Sequence, residues 1–225
     1  LKNTLSGVLG LAAALTYLRF DDTRSRWGWW LASGLFLLAV LAKSVTTTLP
    51  AVLLVVFWWR RGGLDWRRDV MPLQPFFVIG IMLGLLTAWV EHTYIGARGA
   101  EYELTLVERT LVAGRAFWFY LGKLLWPMNL IFVYPRWQIS QGVWWQYLFP
   151  LAAIGALALA WRVRTSTRAP LAALLIFGGV LFPALGFFNV YPFRFSFVAD
   201  HFQYLASIPI LALIGAGLAT AGTRS

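Results

Sequence analysis

Residues 104–126 read LTLVERTLVAGRAFWFYLGKLLW, and the placement of this stretch decides the topology of everything around it. Leu104, Val107, Leu111, Phe117, Trp118, Leu121 and Leu125 recur at three- and four-residue steps, the spacing of one helix face. Arg109, Arg115 and Lys123 interrupt the stretch. Three cations are costly inside hydrocarbon but natural in a helix lying in the headgroup layer. Pro127 ends it. The expectation is an amphipathic helix on the outer face of a membrane. The rival is a true span carrying Arg115, which inverts everything downstream and leaves the loop 162–168 outside.

Composition places the rest of the chain around that helix. The sequence is 60% hydrophobic and only 12% charged, about half the charge of an ordinary soluble domain, and its mean hydropathy is +0.68. Several stretches approach the roughly 17 to 25 apolar residues that cross a bilayer. The fold expected is all-α, a polytopic transmembrane helical bundle of about seven spans. They run over about 3–18, 27–42, 45–59, 73–90, 146–161, 170–188 and 204–220, in a single integral membrane domain, 1–225. Residues 91–145 form an extracytoplasmic segment with the interfacial helix. Every Trp except Trp161 lies before residue 146, many beside charged residues at span ends, as belt residues do.

Loop charge sets the orientation. Arg19, Arg24, Arg26, Arg60, Arg61, Arg67, Arg68, Arg162, Arg164, Arg168 and Arg224 fall on one side, against Asp21, Asp22, Asp65 and Asp69. The other side holds fewer cations and more acids. By the positive-inside rule the Arg-rich side is cytoplasmic. The net charge of +10 is scattered between apolar stretches, so it reads as a topology signal and not as a nucleic-acid surface. With no Cys, disulfides and thiolate metal sites are excluded. His92 and His201 are too few and too far apart for a metal-ligand spacing. The chain opens Leu1-Lys2 and ends soon after an apolar run, and it reads as a piece of a longer protein.

Four places carry chemistry-bearing residues. Asp21-Asp22 sits among Arg19, Arg24 and Arg26, and the expectation there is a solvated, charge-balanced cytoplasmic loop. Lys43 precedes Ser44-Val45-Thr46-Thr47-Thr48-Leu49-Pro50 in an outer-face corner. It either snorkels to headgroups or neutralises a lipid-linked phosphate. Arg115, Tyr120, Lys123 and Trp126-Pro127, followed by Tyr134-Pro135-Arg136-Trp137, interleave cations and aromatics. Such a set anchors a protein at the interface or holds an anionic, carbohydrate-bearing lipid. Asp200-His201 lies in the aromatic stretch 190–204 between two apolar runs. There it serves as an interfacial turn, or as a base and proton shuttle near a lipid-borne substrate.

Three of these pieces recur in order: Ala42-Lys43-Ser44 with Thr48-Leu49-Pro50; Tyr120-Leu121-Gly122-Lys123-Leu124-Leu125-Trp126-Pro127 with Tyr134-Pro135; and Val198-Ala199-Asp200-His201-Phe202-Gln203-Tyr204-Leu205. The ordered set resembles the later membrane segment of bacterial tetratricopeptide-repeat glycosyltransferases of the C superfamily. It is similar to the region shared with transmembrane O-mannosyltransferases that target cadherins, over roughly residues 35–215. The resemblance implies a membrane glycosyltransferase segment, in a bacterial cytoplasmic (inner) membrane. It would transfer sugar on the extracytoplasmic face from a polyprenyl-phosphate donor to a protein or glycan acceptor. Asp200 and His201 become the catalytic candidates, with Lys43, Arg115, Lys123, Tyr134 and Tyr204 for substrate. The family's acidic catalytic residues usually lie in an outer loop upstream of this region, and Asp21-Asp22 is on the wrong side to replace them. A divalent cation is left open for the full-length enzyme. Where the eukaryotic relatives read Ala-Asp-Arg-Tyr, this chain has Ala199-Asp200-His201-Phe202, so the donor's identity does not carry over. No tetratricopeptide pattern is present, and that module is expected after Ser225. The competing class is a non-catalytic membrane anchor or lipid-linked sugar translocation protein.

Overall fold

The computed structural model describes residues 2–96, 99 and 102–223. Among them every regular element is helical and no strand occurs. The chain divides into two compact units, Leu1–Trp89 and Val90–Ser225.

The first unit is built on a helical hairpin, α1 (Lys2–Thr23) and α2 (Arg26–Ala42), which turns at Arg24 with a left-handed φ of 55°. Helix α1 buries Ser6, Gly10, Ala13, Tyr17 and Asp21, one residue per turn. Mostly small side chains on that stripe let the two backbones approach closely. The Ser6 hydroxyl donates to the Ala39 carbonyl at 3.1 Å, and a Cβ at Gly10 would stand 3.1 Å from Thr46 Cγ2. A 3₁₀ turn, Ser44–Thr48, leads into α3 (Leu49–Arg61), which has Pro50 in its first turn and closes on Gly62 at φ 84°. After a π turn, Trp66–Val70, and a 3₁₀ turn, Met71–Leu73, α4 (Gln74–Val90) follows. Tyr17, Phe36, Phe57 and Phe76 are all essentially inaccessible and form an aromatic centre, with Tyr17 edge-on to Phe76 at 5.2 Å.

In the second unit the principal helices are α5 (Leu106–Leu125), α6 (Leu148–Arg162), α7 (Ala169–Leu181) and α8 (Ser207–Gly222). Helix α5 starts at a capping box in which the Thr105 hydroxyl accepts from Glu108 N–H and the Glu108 carboxylate accepts from Thr105 N–H. Its contacts cluster at one end of the neighbouring helices. Gly114 meets Pro150 and Trp118 donates to the Phe149 carbonyl, both in the first turn of α6. Phe117 packs on Phe177 near the end of α7, and Val112 approaches Gly186 just beyond it. The Tyr120 phenol accepts from Ala199 N–H ahead of α8. Arg109 donates to the Leu104, Tyr102, Gly186 and Phe187 carbonyls and to Asn189 Oδ1, tying the start of α5 to the same end.

Helices occupy each of the seven stretches read as spans, yet among the described residues only two helical runs, Trp66–Ile95 and Trp144–Thr165, are long and apolar enough to cross a membrane. Arg26–Ala42, Ala169–Ala184 and Ser207–Gly222 are shorter apolar helices. The stretch 45–59 illustrates the difference. Its first residues form the 3₁₀ turn, so α3 has 13 residues and a rise of only about 20 Å, short of the roughly 30 Å of hydrocarbon.

Candidate functional site

Helix α5 presents Arg115, Phe119 and Lys123 at steps of four, and the segment after it folds back along this face. The Arg115 guanidinium lies 4.4 Å from the Trp137 ring centre and 5.9 Å from those of Trp145 and Phe149. Phe119 stands edge-on to Tyr134 at 4.8 Å. The Lys123 ammonium lies 5.2 Å from the Tyr134 ring and 5.6 Å from the Phe119 ring. Cations and rings therefore alternate along two turns, each cation against the negative face of an aromatic. Burial among these rings lowers the Arg115 pKa from its ordinary value.

Tyr134 joins this ladder to the acidic residue. It is only 7% exposed. Its phenol donates to Asp200, 2.9 and 3.0 Å from the two carboxylate oxygens, and accepts from Ile131 N–H at 3.3 Å. Its pKa is raised, first by burial and then by the carboxylate beside it, so the phenol stays a donor at neutral pH. No Lys or Arg lies within ion-pair distance of Asp200 among the described residues. Asp200 itself is half-buried in the 3₁₀ turn Asp200–Gln203. The turn is held from behind by Tyr120, which is fully buried, and by the Ala199 N–H it receives.

The structure thus brings Lys123, Tyr134 and Asp200 together and sets Arg115 two turns of α5 before Lys123. The Lys123 ammonium already donates to the carbonyls of Met128 and Asn129, which uses two of its three protons. His201 points at a ring of the same segment, stacked on Phe132 at 6.5 Å and edge-on to Phe202 at 4.5 Å. Tyr204 is 65% exposed, beyond the turn. Lys43 belongs to the first unit, where it donates to Asn3 Oδ1 and is partly buried, which lowers its pKa. Phe119 and Phe132 escaped the sequence reading. The four-residue step from Arg115 through Phe119 to Lys123 was the available signal for the first, and nothing local marks the second.

Asp21 and Asp22 need a correction. Both lie in the last turn of α1 and not in a loop, because α1 continues to Thr23. Asp22 is exposed, whereas the Asp21 side chain is 3% accessible and ion-paired to Arg24 at 2.6 Å, to Arg61 and, at 3.6 Å, to Arg68. Arg61 also pairs with Asp69, which is 1% exposed. The neutralisation expected from neighbours in sequence comes largely from the far end of α3 and the turn behind it.

No three His, Asp or Glu residues stand close enough to hold a metal ion among the described residues. Comparison with family models, characterised proteins and solved structures gives no match to this chain.

Proposed function

We propose that the chain is a membrane-embedded segment of a glycosyltransferase that moves a sugar from a polyprenyl-phosphate donor to a protein or glycan acceptor on the extracytoplasmic face. The convergence of Lys123, Tyr134 and Asp200 carries this reading: residues more than sixty positions apart meet at one end of a helical unit. The cation suits a lipid-linked phosphate, and the carboxylate suits an acceptor hydroxyl. The two apolar helical runs support placement in a membrane; in the proposed arrangement the protein is multi-pass in a bacterial inner membrane, as the resemblance implies, with the Arg-rich loops inside and α5 in the outer interface.

In this mechanism the Asp200 carboxylate takes the proton of the acceptor hydroxyl as the acceptor oxygen bonds to the sugar's anomeric carbon. The bond from that carbon to the phosphate oxygen breaks, and polyprenyl phosphate leaves with the electron pair. The remaining donor of Lys123 and the Arg115 edge meet the phosphate charge. The Tyr134 phenol holds Asp200 in place by donating between the two carboxylate oxygens.

The reading is tested on the full-length protein reconstituted with a polyprenyl-phosphate hexose. Lys123→Met should raise the donor's apparent dissociation constant about 10-fold, the worth of one charge-assisted hydrogen bond. Transfer without any dependence on Lys123 or Asp200 would remove this site. Donor binding with no transfer at all would favour the translocation class. Orientation is checked by single cysteines in this Cys-free chain: Gln141→Cys should label from outside with an impermeant reagent, and Ser166→Cys should not.

A further inference from the structure

Between the end of α5 and Tyr134 the chain makes an irregular loop, residues 126–133, whose apolar side chains point away from the protein. Trp126, Met128, Leu130, Ile131, Phe132 and Val133 range from 45% exposed at Ile131 to 87% at Phe132. An exposed apolar run of this size marks an interaction surface.

The backbone of the loop indicates which kind. Irregular chain enters a bilayer only where its own N–H and C=O groups are satisfied within the protein. Here Trp126 N–H donates to the Gly122 carbonyl and Met128 N–H to the Trp126 carbonyl, both at 2.8 Å. Ile131 N–H donates to the Tyr134 phenol. Lys123 covers the carbonyls of Met128 and Asn129, and Pro127 has no N–H to satisfy. Asn129 adopts a left-handed φ of 53°, which turns the chain back toward Tyr134. The outcome is a loop with apolar side chains outside and the polar backbone at its base paired inside, while most groups from Leu130 to Val133 have no partner within the described residues and are left to interfacial water, which holds the loop to the top of the acyl region. A cation and an indole, Lys123 and Trp126, sit at its base, the pairing found at headgroup depth. The loop follows directly on the last turn of α5.

We infer that residues 126–133 are a membrane-inserted finger whose occupant is the upper acyl-chain region of the outer leaflet, and that Lys123 is the staple that shapes it. The inference rests on the membrane reading above and is independent of the glycosyltransferase reading. It sets the Lys123–Tyr134–Asp200 cluster at headgroup depth, where a lipid-linked phosphate presents itself.

The test uses the full-length protein in dioleoyl phosphatidylcholine nanodiscs, without added donor. Single cysteines at Phe132, Leu130, Leu151 of α6 and Gln141 carry an environment-sensitive fluorophore, and lipids spin-labelled near the top or the end of the acyl chain act as quenchers. Phe132→Cys and Leu130→Cys place the probe on outward side chains, so the fold is spared. Both should emit as from an apolar medium and be quenched about as strongly as Leu151→Cys, more by the upper spin label, with Gln141→Cys several-fold less. Water-like emission at Phe132 and Leu130 with Leu151 quenched would overturn the finger and leave the membrane reading standing. Water-like emission at all four would overturn both. An apolar shift at the loop that needs added polyprenyl phosphate would overturn the bilayer as occupant in favour of the donor's isoprenoid chain.

Discussion

Asp21 and Asp200 are the two acids around which the units organise, and they are treated in opposite ways. Asp21 is sealed at the end of α1 with three guanidinium groups, one of them also paired with Asp69. Asp200 keeps part of its surface, and a neutral phenol bridges its two oxygens. A carboxylate that is buried and fully ion-paired joins elements and has no lone pair to spare for a ligand. One held by a single neutral donor keeps lone pairs and an open side. The first arrangement is a staple between α1, α3 and the following turn; the second leaves a carboxylate with surface to spare, which is what the proposed function draws on.

The largest expected effect tests the staple. Asp21→Asn leaves Arg61 half-buried with Asp69 alone, and Arg61→Met leaves two buried carboxylates short of a cation. Breaking one side of a buried pair costs about 3–5 kcal/mol. Denaturant titration of the purified protein in detergent should show that loss for either variant, and a parent-like midpoint would end the contrast. Next comes Asp200→Asn, which keeps size and loses charge and basicity. Transfer turnover should fall about 100-fold, about 2.7 kcal/mol of transition-state stabilisation, while the unfolding midpoint stays put. Loss of both together would make Asp200 a second staple.

Smaller still is Tyr134→Phe, which removes the donor from between the carboxylate oxygens and keeps the ring against Phe119. Turnover should drop about 10-fold, about 1.4 kcal/mol, with little change in donor affinity. A change in affinity alone would recast Tyr134 as a sugar contact. At the bottom of the scale, Asp22→Asn should shift stability by no more than about 0.5 kcal/mol. Asp22 is exposed, and Arg60 stands 4.0 Å away. A loss comparable to that of Asp21 would show that the sharp difference between these neighbours is misplaced.

Much of this was legible beforehand. The three- and four-residue spacing from Leu104 to Leu125 announced α5, and Pro127 marked its end to within two residues, whereas the capping box of Thr105 and Glu108 at its start went unread. The pairing of Lys123, Tyr134 and Asp200 was legible only as ordered pieces of sequence, because which rings touch which cation depends on how 126–137 folds back over α5. Asp21 was misread for the opposite reason. Its neighbours in sequence explained its charge well enough to hide Arg61, forty positions away, and helix α1 carries it into the interior without any change in local composition.

Composition and periodicity alone made the chain helical. Apolar side chains at 60% of positions, recurring at three- and four-residue steps in stretches such as 104–125, give helices a face to bury while their i to i−4 bonds satisfy the backbone. Tertiary structure decided which of the charges that remain are spent and which are kept. That choice turns on distances of a few ångströms between segments far apart in the chain, where burial and an opposite charge act together on the same group.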